Sequence, residues 1–171
     1  MGYDWRHQRG APAYGSHHQH EGRSNPYYDV IVKINALGSL SQLDPKDFAD
    51  ENGYAARIAD RLKKEEMKTH QLRRFFDPLV KIREELKKGR SWKDVRGQVH
   101  LTLPLLAFSV GRKLAPKEFY DLARTCINKI ESDSDDEKKK ESFLRFMDFL
   151  EAIVAYQKYF EETRRGGGER W

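Results

Sequence analysis

The chain has 171 residues, of which 38% are hydrophobic and 35% charged, and its formal net charge at pH 7 is +5. This composition is typical of one polar domain with a hydrophobic core, and no apolar run approaches the roughly 20 residues that a transmembrane helix needs. The single cysteine, Cys126, excludes an internal disulfide and predicts a reducing, cytoplasmic location.

The first 44 residues are predicted to be a largely disordered extension. Residues 1–28 are rich in Gly, His, Ser, Pro, Arg and Tyr and have neither a helical nor a strand period. Such a segment buries too little apolar surface to offset its ordering entropy. The stretch VIVKINAL, at 30–37, is compatible with a short extended piece. At the other end, residues 164–171 are predicted to be a flexible tail.

The helical pattern starts at residue 45. Asp44 and Pro45 form a typical helix start, and Thr69 is a second N-cap candidate. The helix after Thr69 has one apolar face, made of Leu72, Phe75, Phe76, Leu79 and Leu86. Pro78 predicts either a kink in this helix or a new helix capped by Asp77. The alternative matters because an unbroken helix would direct Arg83 into the apolar face.

Three more helices are predicted towards the C-terminus. Residues 101–111 are apolar on nearly every side, which predicts a short helix at the centre of a bundle. Pro116 opens the next helix, and Ser134 with Glu137 predicts a capping box before the longest one. The predicted fold class is all-α, a compact bundle of about five helices over residues 45–163 with a disordered N-terminal extension.

No catalytic residue, metal site or cofactor is predicted. The acidic run DSDDE fails as a calcium loop because Lys138 and Leu144 replace the required glycine and glutamate. The HHQH stretch at 17–20 has no defined metal geometry. Cys126 lies within an apolar helix face, which predicts a buried structural thiol. The sequence therefore favours a binding or assembly module.

The positive charge is concentrated in one part of the chain. Residues 45–113 contain 17 basic and 10 acidic side chains, whereas residues 114–171 contain 11 basic and 13 acidic ones. A basic excess on a folded domain is typical of proteins that bind a polyanion such as a nucleic acid.

Three helical stretches resemble, in order and spacing, one known family. They are THQLRRFF (69–76), LPLLAFSVGR (103–112) and FLRFMDFLEAIVAYQKYF (143–160). The family is the small subunit of type III-A CRISPR effector (Csm) complexes, and the resemblance covers residues 45–163. The chain departs from the family pattern at Phe108, where a tyrosine is common, and in its longer N-terminal extension.

The resemblance implies a non-catalytic helical subunit. Several copies would stack head to tail beside the backbone repeat subunits that hold the CRISPR RNA, along the channel where guide and target RNA pair. Cleavage would belong to other subunits, including the large polymerase-like subunit. The resemblance also implies that Arg73 and Arg112 face the RNA, with Lys68, Arg74 and Lys113 as neighbouring candidates.

The expected contacts go to phosphate and sugar, because a subunit that serves every guide cannot read bases. For Arg73 the alternative is a surface ion pair with Asp77. Two other function classes remain open. One is a DNA-binding regulator with a helix-turn-helix at 110–123, which Glu118 and Asp121 disfavour. The other is an adaptor that binds an acidic protein.

Overall fold

The computed structural model describes residues 24–165, and every regular element in that range is helical. Seven α-helices pack into one bundle, which confirms the predicted all-α fold. Their bounds are Pro26–Ala36 (α1), Pro45–Ala49 (α2), Tyr54–Lys64 (α3), Thr69–Lys87 (α4), Trp92–Gly111 (α5), Lys117–Glu131 (α6) and Asp136–Arg165 (α7). Among these helices, none combines the length and apolar composition of a bilayer-spanning segment.

The bundle has more helices than the predicted five, partly because residues 45–64 form two helices. Gly53 lies at the break between α2 and α3. A Cβ at this position would come within 2.8 Å of the Phe48 carbonyl oxygen, so the close approach requires glycine. Asp44 caps α2 as predicted, by accepting the backbone N–H of Lys46 at 2.9 Å.

Helix α1 corrects the prediction of disorder and of an extended stretch before residue 45. It begins with an Asn25 cap followed by Pro26. Its buried face packs against α3 and α6 and consists of Tyr27, Val30 and Ile34. An 11-residue helix depends on tertiary packing for its stability, and the composition of the segment does not show that packing. Residues 1–23 lie outside the described range.

The segment between α1 and α2 is also part of the fold. Leu40 and Leu43 are fully buried, and a short 3-10 turn, Leu40–Gln42, packs against α7. The Ser39 hydroxyl lies 2.9 Å from the Ser142 hydroxyl of α7, and Arg145 donates to the Leu43 carbonyl. Residues 26–43 are therefore held by both apolar burial and hydrogen bonds.

Helix α7 supplies the centre of the core. Its buried apolar side chains are Phe143, Phe146, Met147, Phe149, Leu150 and Ile153. Phe149 meets Phe48 of α2 with ring centroids 5.4 Å apart, and Phe143 meets Trp92 of α5 at 5.7 Å. Each fully buried phenylalanine contributes about 1.5–3 kcal/mol of transfer free energy. The helix ends at Arg165, so the first two residues of the tail predicted at 164–171 are helical, and the rest of that tail lies outside the described range.

The predicted capping box at Ser134 and Glu137 is wrong by one residue. Asp135 accepts the backbone N–H of Lys138 at 2.9 Å, which lowers the pKa of the Asp135 carboxyl. A carboxylate is as good a cap as a hydroxyl here and also favours the positive end of the helix dipole.

Helix α4 is continuous through Pro78, so the alternative of a second helix capped by Asp77 is wrong. Lys68, rather than the predicted Thr69, is its N-cap residue. Arg83 is directed inwards, as expected for an unbroken helix: its side chain is only 16% exposed and binds Glu151 of α7 at 2.9 Å.

Candidate nucleic-acid interface

Helices α4 and α5 run antiparallel, because only a short loop at 88–91 joins them. The beginning of α4 therefore lies beside the end of α5. A groove of about 180 Å³ separates these two ends, and its lining residues are Gln71, Arg74, Phe75, Leu105, Leu106, Phe108 and Ser109. Two of the stretches that resemble the family, about 30 residues apart in sequence, thus share one surface.

The five predicted RNA-binding residues are all solvent-exposed, but they do not form a single cluster. Arg74 lines the groove itself, and Arg112 is the C-cap residue of α5 at its end. Lys68 instead borders a separate depression together with the carboxylate-bearing Glu161. The structure therefore brings Arg74 close to the end of α5 and leaves Lys68 at its own site beside a negative charge.

Lys113 has an unusual backbone conformation. Its φ of 58° lies in the left-handed region, which usually favours glycine. Its N–H bonds to the Val110 carbonyl at 2.9 Å, and the Leu114 N–H bonds to the Ser109 carbonyl at 2.9 Å, which is the Schellman pattern of helix termination. The end of α5 is therefore fixed by two backbone hydrogen bonds, and the side chains of Arg112 and Lys113 emerge from a defined turn.

Arg73 forms the ion pair that the alternative interpretation predicted. Its Nε lies 3.8 Å from the Asp77 carboxylate, and the two side chains are 61% and 60% exposed. A pair this long and this exposed contributes little to stability, at most about 1 kcal/mol. The pair leaves Arg73 available to an incoming phosphate.

Arg112 is held by an aromatic ring rather than by a carboxylate. Its guanidinium carbon lies 5.6 Å from the ring centroid of Phe108, one helical turn earlier. Within residues 24–165, Arg74, Arg112 and Lys113 have no carboxylate in ion-pair range; Arg73 is the paired member of the group. These cations are compatible with binding an external anion.

Helix α5 is not the central helix that the sequence predicted. It begins at Trp92, earlier than expected, and one side of it faces solvent. Leu101 is 66% exposed, Leu105 57% and Phe108 64%. Sequence reasoning missed this face because the apolar residues of α5 exceed what one buried stripe needs, and composition alone does not separate a central helix from one with an uncovered apolar side.

The sequence raised two chemical possibilities, a metal site and a reactive cysteine. Among residues 24–165 there is no group of three or more potential metal ligands, and the HHQH stretch lies outside this range. Cys126 is fully buried, as predicted, and burial raises the pKa of its thiol. A thiol in that state is a poor nucleophile.

Comparison with known families decides which family the chain comes from. Residues 45–163 match the model of the family described as Csm2 Type III-A. The chain belongs to the Csm2 Type III-A family. It is therefore a small subunit of a type III-A CRISPR complex, as the resemblance of its three helical stretches implied. No curated protein and no solved structure matched the chain.

The Csm2 match begins at α2, so α1 lies outside the matched region. The phenol of Tyr27 in α1 nevertheless donates to Glu65 just after α3 at 2.9 Å. Burial raises the pKa of Tyr27 strongly, and the neighbouring Glu65 carboxylate raises it further. The Csm2 domain of this chain thus carries an additional N-terminal helix that packs on it as part of the same core.

Proposed function

We propose that this Csm2 subunit is a non-catalytic, cytoplasmic RNA-binding component that contacts the guide–target RNA duplex through phosphate and sugar. Its nucleic-acid partners are the CRISPR RNA and the target RNA. Its protein partners are the large polymerase-like subunit, the backbone repeat subunits and further copies of itself. The residues proposed to contact RNA are Arg73, Arg74, Arg112 and Lys113, with Lys68 at the periphery.

The observation that carries this proposal is the convergence of α4 and α5. Arg74 lines a groove with the last two turns of α5, and Arg112 and Lys113 follow directly after that helix. A cation without a carboxylate neighbour can bind phosphate without first breaking an ion pair. Backbone contacts carry no sequence information, which suits a subunit that serves every guide.

The conformation of Lys113 supports a role for its side chain. Glycine would adopt the left-handed conformation at this position without the steric cost of a Cβ. A lysine here adds a positive charge beside Arg112 and also faces the negative end of the α5 dipole. The charge beside Arg112 and the helix dipole both favour a cation at this position. The dipole would favour it even without RNA.

The exposed leucines of α5 support the protein contacts of the proposal. Leu101 and Leu105 lie one turn apart on the solvent-facing side of the helix. An uncovered aliphatic surface beside cations is typical of a subunit whose neighbours cover it in an assembly. Leu101→Asp and Leu105→Asp should reduce incorporation into the co-expressed complex. Val32→Asp, on the 48% exposed Val32 of α1, is the control.

Binding of labelled RNA to the isolated full chain tests the RNA contact. We expect weak binding without sequence preference, and a log–log salt dependence of about −0.7 per phosphate contact on a single strand. Arg74→Ala and Arg112→Ala should weaken binding to all sequences equally and make the slope shallower. Arg124→Ala is the matched control, because Arg124 also lies over an aromatic ring, that of Tyr120 in α6.

The two competing functions give different results in the same assay. A DNA-binding regulator would prefer duplex DNA of one sequence and would lose affinity when the exposed face of α6 is changed. If the chain is an adaptor for an acidic protein, the parent should bind RNA no better than the Arg74→Ala and Arg112→Ala variants do. Either pattern would replace the proposal.

A further inference from the structure

Phe108 is a large aromatic side chain that lies in solvent among cations. It is 64% exposed, and the guanidinium of Arg112 lies over one side of its ring, 5.6 Å from the centroid. Leaving such a ring in water forfeits most of the transfer free energy that its burial would provide. Proteins that bind single-stranded nucleic acids use exposed aromatic rings beside cationic side chains to stack on the bases.

The groove next to this ring is small and has mixed walls. Phe75, Leu105 and Leu106 provide apolar surface, and Arg74 provides a cation. The side-chain oxygen of Gln71 accepts the Lys68 backbone N–H at 2.8 Å, which leaves its amide NH₂ as a donor. A narrow space of about 180 Å³ with apolar walls and donors at its edge suits a flat, polar-edged group rather than a helix or a strand.

We propose that Phe108 stacks on an unpaired nucleobase of the bound RNA, with the base lying over or into this groove. The inference rests on the proposed function, since Arg74 and Arg112 would hold the adjoining phosphates. It adds selectivity for unpaired bases, because a base within a duplex is already covered on both faces. Every base has a π-face, so this contact is independent of sequence.

Protein docking is the competing use of the same ring. Leu101 and Leu105 lie on the same side of α5, and a neighbouring subunit that covered them would also reach Phe108. Two features favour the base for Phe108. The Arg112 guanidinium lies over its ring, and Phe108 lies at the end of the helix beside Arg74 and Arg112, whereas Leu101 lies two turns away and does not line the groove.

The test uses the full chain with three probes of equal length: a single-stranded RNA, the same strand as a duplex, and a ribose-phosphate strand without bases. Phe108→Ala should weaken binding of the single strand roughly tenfold. Its affinity for the base-free strand and for the duplex should stay at the parent value. Phe108→Trp should retain or strengthen single-strand binding.

A spectroscopic readout separates stacking from a structural effect. A 2-aminopurine base in the single strand should be quenched by the parent and by Arg124→Ala, but not by Phe108→Ala. Tyr28→Ala is the matched control, since Tyr28 of α1 is 66% exposed and lies on another helix. It should change neither affinity nor quenching.

The outcomes distinguish this inference from the proposed function. If Arg112→Ala weakens binding of all three probes while Phe108→Ala changes none, the stacking inference is wrong and the phosphate contacts stand. If Phe108→Ala weakens the base-free strand equally, the ring only positions Arg112. If it instead reduces subunit assembly and leaves RNA binding intact, Phe108 belongs to a protein interface. If the parent binds none of the probes, the proposed function itself fails.

Discussion

The two ends of α5 both carry cations, but the side chains that contact these cations differ between the two ends. Near the start, Arg96 and His100 lie 3.0 Å from the carboxylate of Glu131, and Lys139 approaches it from α7 at 3.4 Å. At the other end, Arg112 lies against an aromatic ring and has no carboxylate in ion-pair range within residues 24–165. The basic residues counted along the sequence are thus of two kinds. Some form ion pairs that join helices, and others remain available to bind an external anion.

This difference decides which cations are suited to bind an external anion. The Glu131 side chain is only 15% exposed, so removing Arg96 from it would leave a carboxylate with fewer partners in a poorly solvated site. Releasing Arg112 from Phe108 costs far less, because the aromatic ring needs no counter-charge. The available charge therefore lies at the C-terminal end of α5.

The largest expected effect compares two adjacent leucines of α5. Leu106 is 2% exposed and Leu105 57%. Leu106→Ala should lower the free energy of unfolding by about 2–5 kcal/mol, because it leaves a cavity in the core. Leu105→Ala should change it by about 0.5 kcal/mol or less. Urea denaturation of both variants checks this, and equal losses would show that α5 has no free side.

The next effect concerns the ion-pair cluster at the start of α5. Glu131→Gln keeps the shape of the side chain but removes the charge shared by Arg96, His100 and Lys139. We expect a loss of about 1–3 kcal/mol in the free energy of unfolding. Glu118→Gln is the control, because Glu118 lies at an exposed position on α6, the helix that also carries Glu131. It should leave the free energy of unfolding almost unchanged. If Glu131→Gln leaves the free energy of unfolding unchanged, the cations at the start of α5 are not held in structural ion pairs, and the two ends of the helix do not differ in this respect.

The same cluster predicts a pH dependence. Burial raises the pKa of Glu131, but the hydrogen bonds from His100 and Arg96 and the nearby charges lower it more, so the net shift is downwards. A carboxyl with a lowered folded pKa stabilises the protein above its unfolded pKa of about 4.3 and loses that contribution as the pH falls through the folded value. The parent should therefore lose stability below about pH 4 more steeply than Glu131→Gln. Parallel pH profiles from thermal melts would contradict this.

A smaller effect of opposite sign is expected at Lys113. Lys113→Gly should raise the free energy of unfolding by roughly 0.5–1 kcal/mol, because glycine adopts the left-handed conformation without strain. The same change should weaken RNA binding, since it removes a cation. Glu66→Gly is the matched control: Glu66 also has a left-handed φ, of 62°, and its replacement should stabilise without weakening RNA binding.

The smallest stability effect is expected at the arginines that we propose to contact RNA. Arg73→Ala and Arg112→Ala should change the free energy of unfolding by no more than about 0.5 kcal/mol, because both side chains lie outside the core. Chemical denaturation checks this. A loss of several kcal/mol in either variant would mean that the residue is part of a structural ion pair or cap rather than an open binding surface.

The sequence was sufficient to predict the helical fold and to place the starts of α2, α4, α6 and α7 to within one residue. Period and capping residues are local properties, so Asp44, Gly111 and the apolar face around Cys126 were recognised correctly. Helix α1 was missed because its stability comes from partners in α3 and α6 that lie far away in sequence. Only the folded chain shows that Tyr27 and Ile34 are core residues.

The candidate interface was predicted only in part, for a related reason. The resemblance pointed to Arg73 and Arg112 as separate residues, and the antiparallel α4–α5 pair explains why their segments lie together. The neighbouring Phe108 was noted only as a departure from the family pattern, because exposure is a property of tertiary packing. Carboxylate neighbours, which distinguish Arg96 from Arg112, are equally invisible in the sequence: Glu131 is 35 residues away from Arg96.

The most direct test of the central claim compares Arg96→Ala with Arg112→Ala, two identical substitutions on one helix. The measurement is the salt dependence of affinity for single-stranded RNA, with the free energy of unfolding measured in parallel. We predict that Arg112→Ala makes the log–log slope shallower by about 0.7 without loss of stability. Arg96→Ala should leave the slope unchanged and lower stability. Equal slopes for the two variants, or a shallower slope for Arg96→Ala alone, would contradict the assignment of the RNA-binding surface to the C-terminal end of α5.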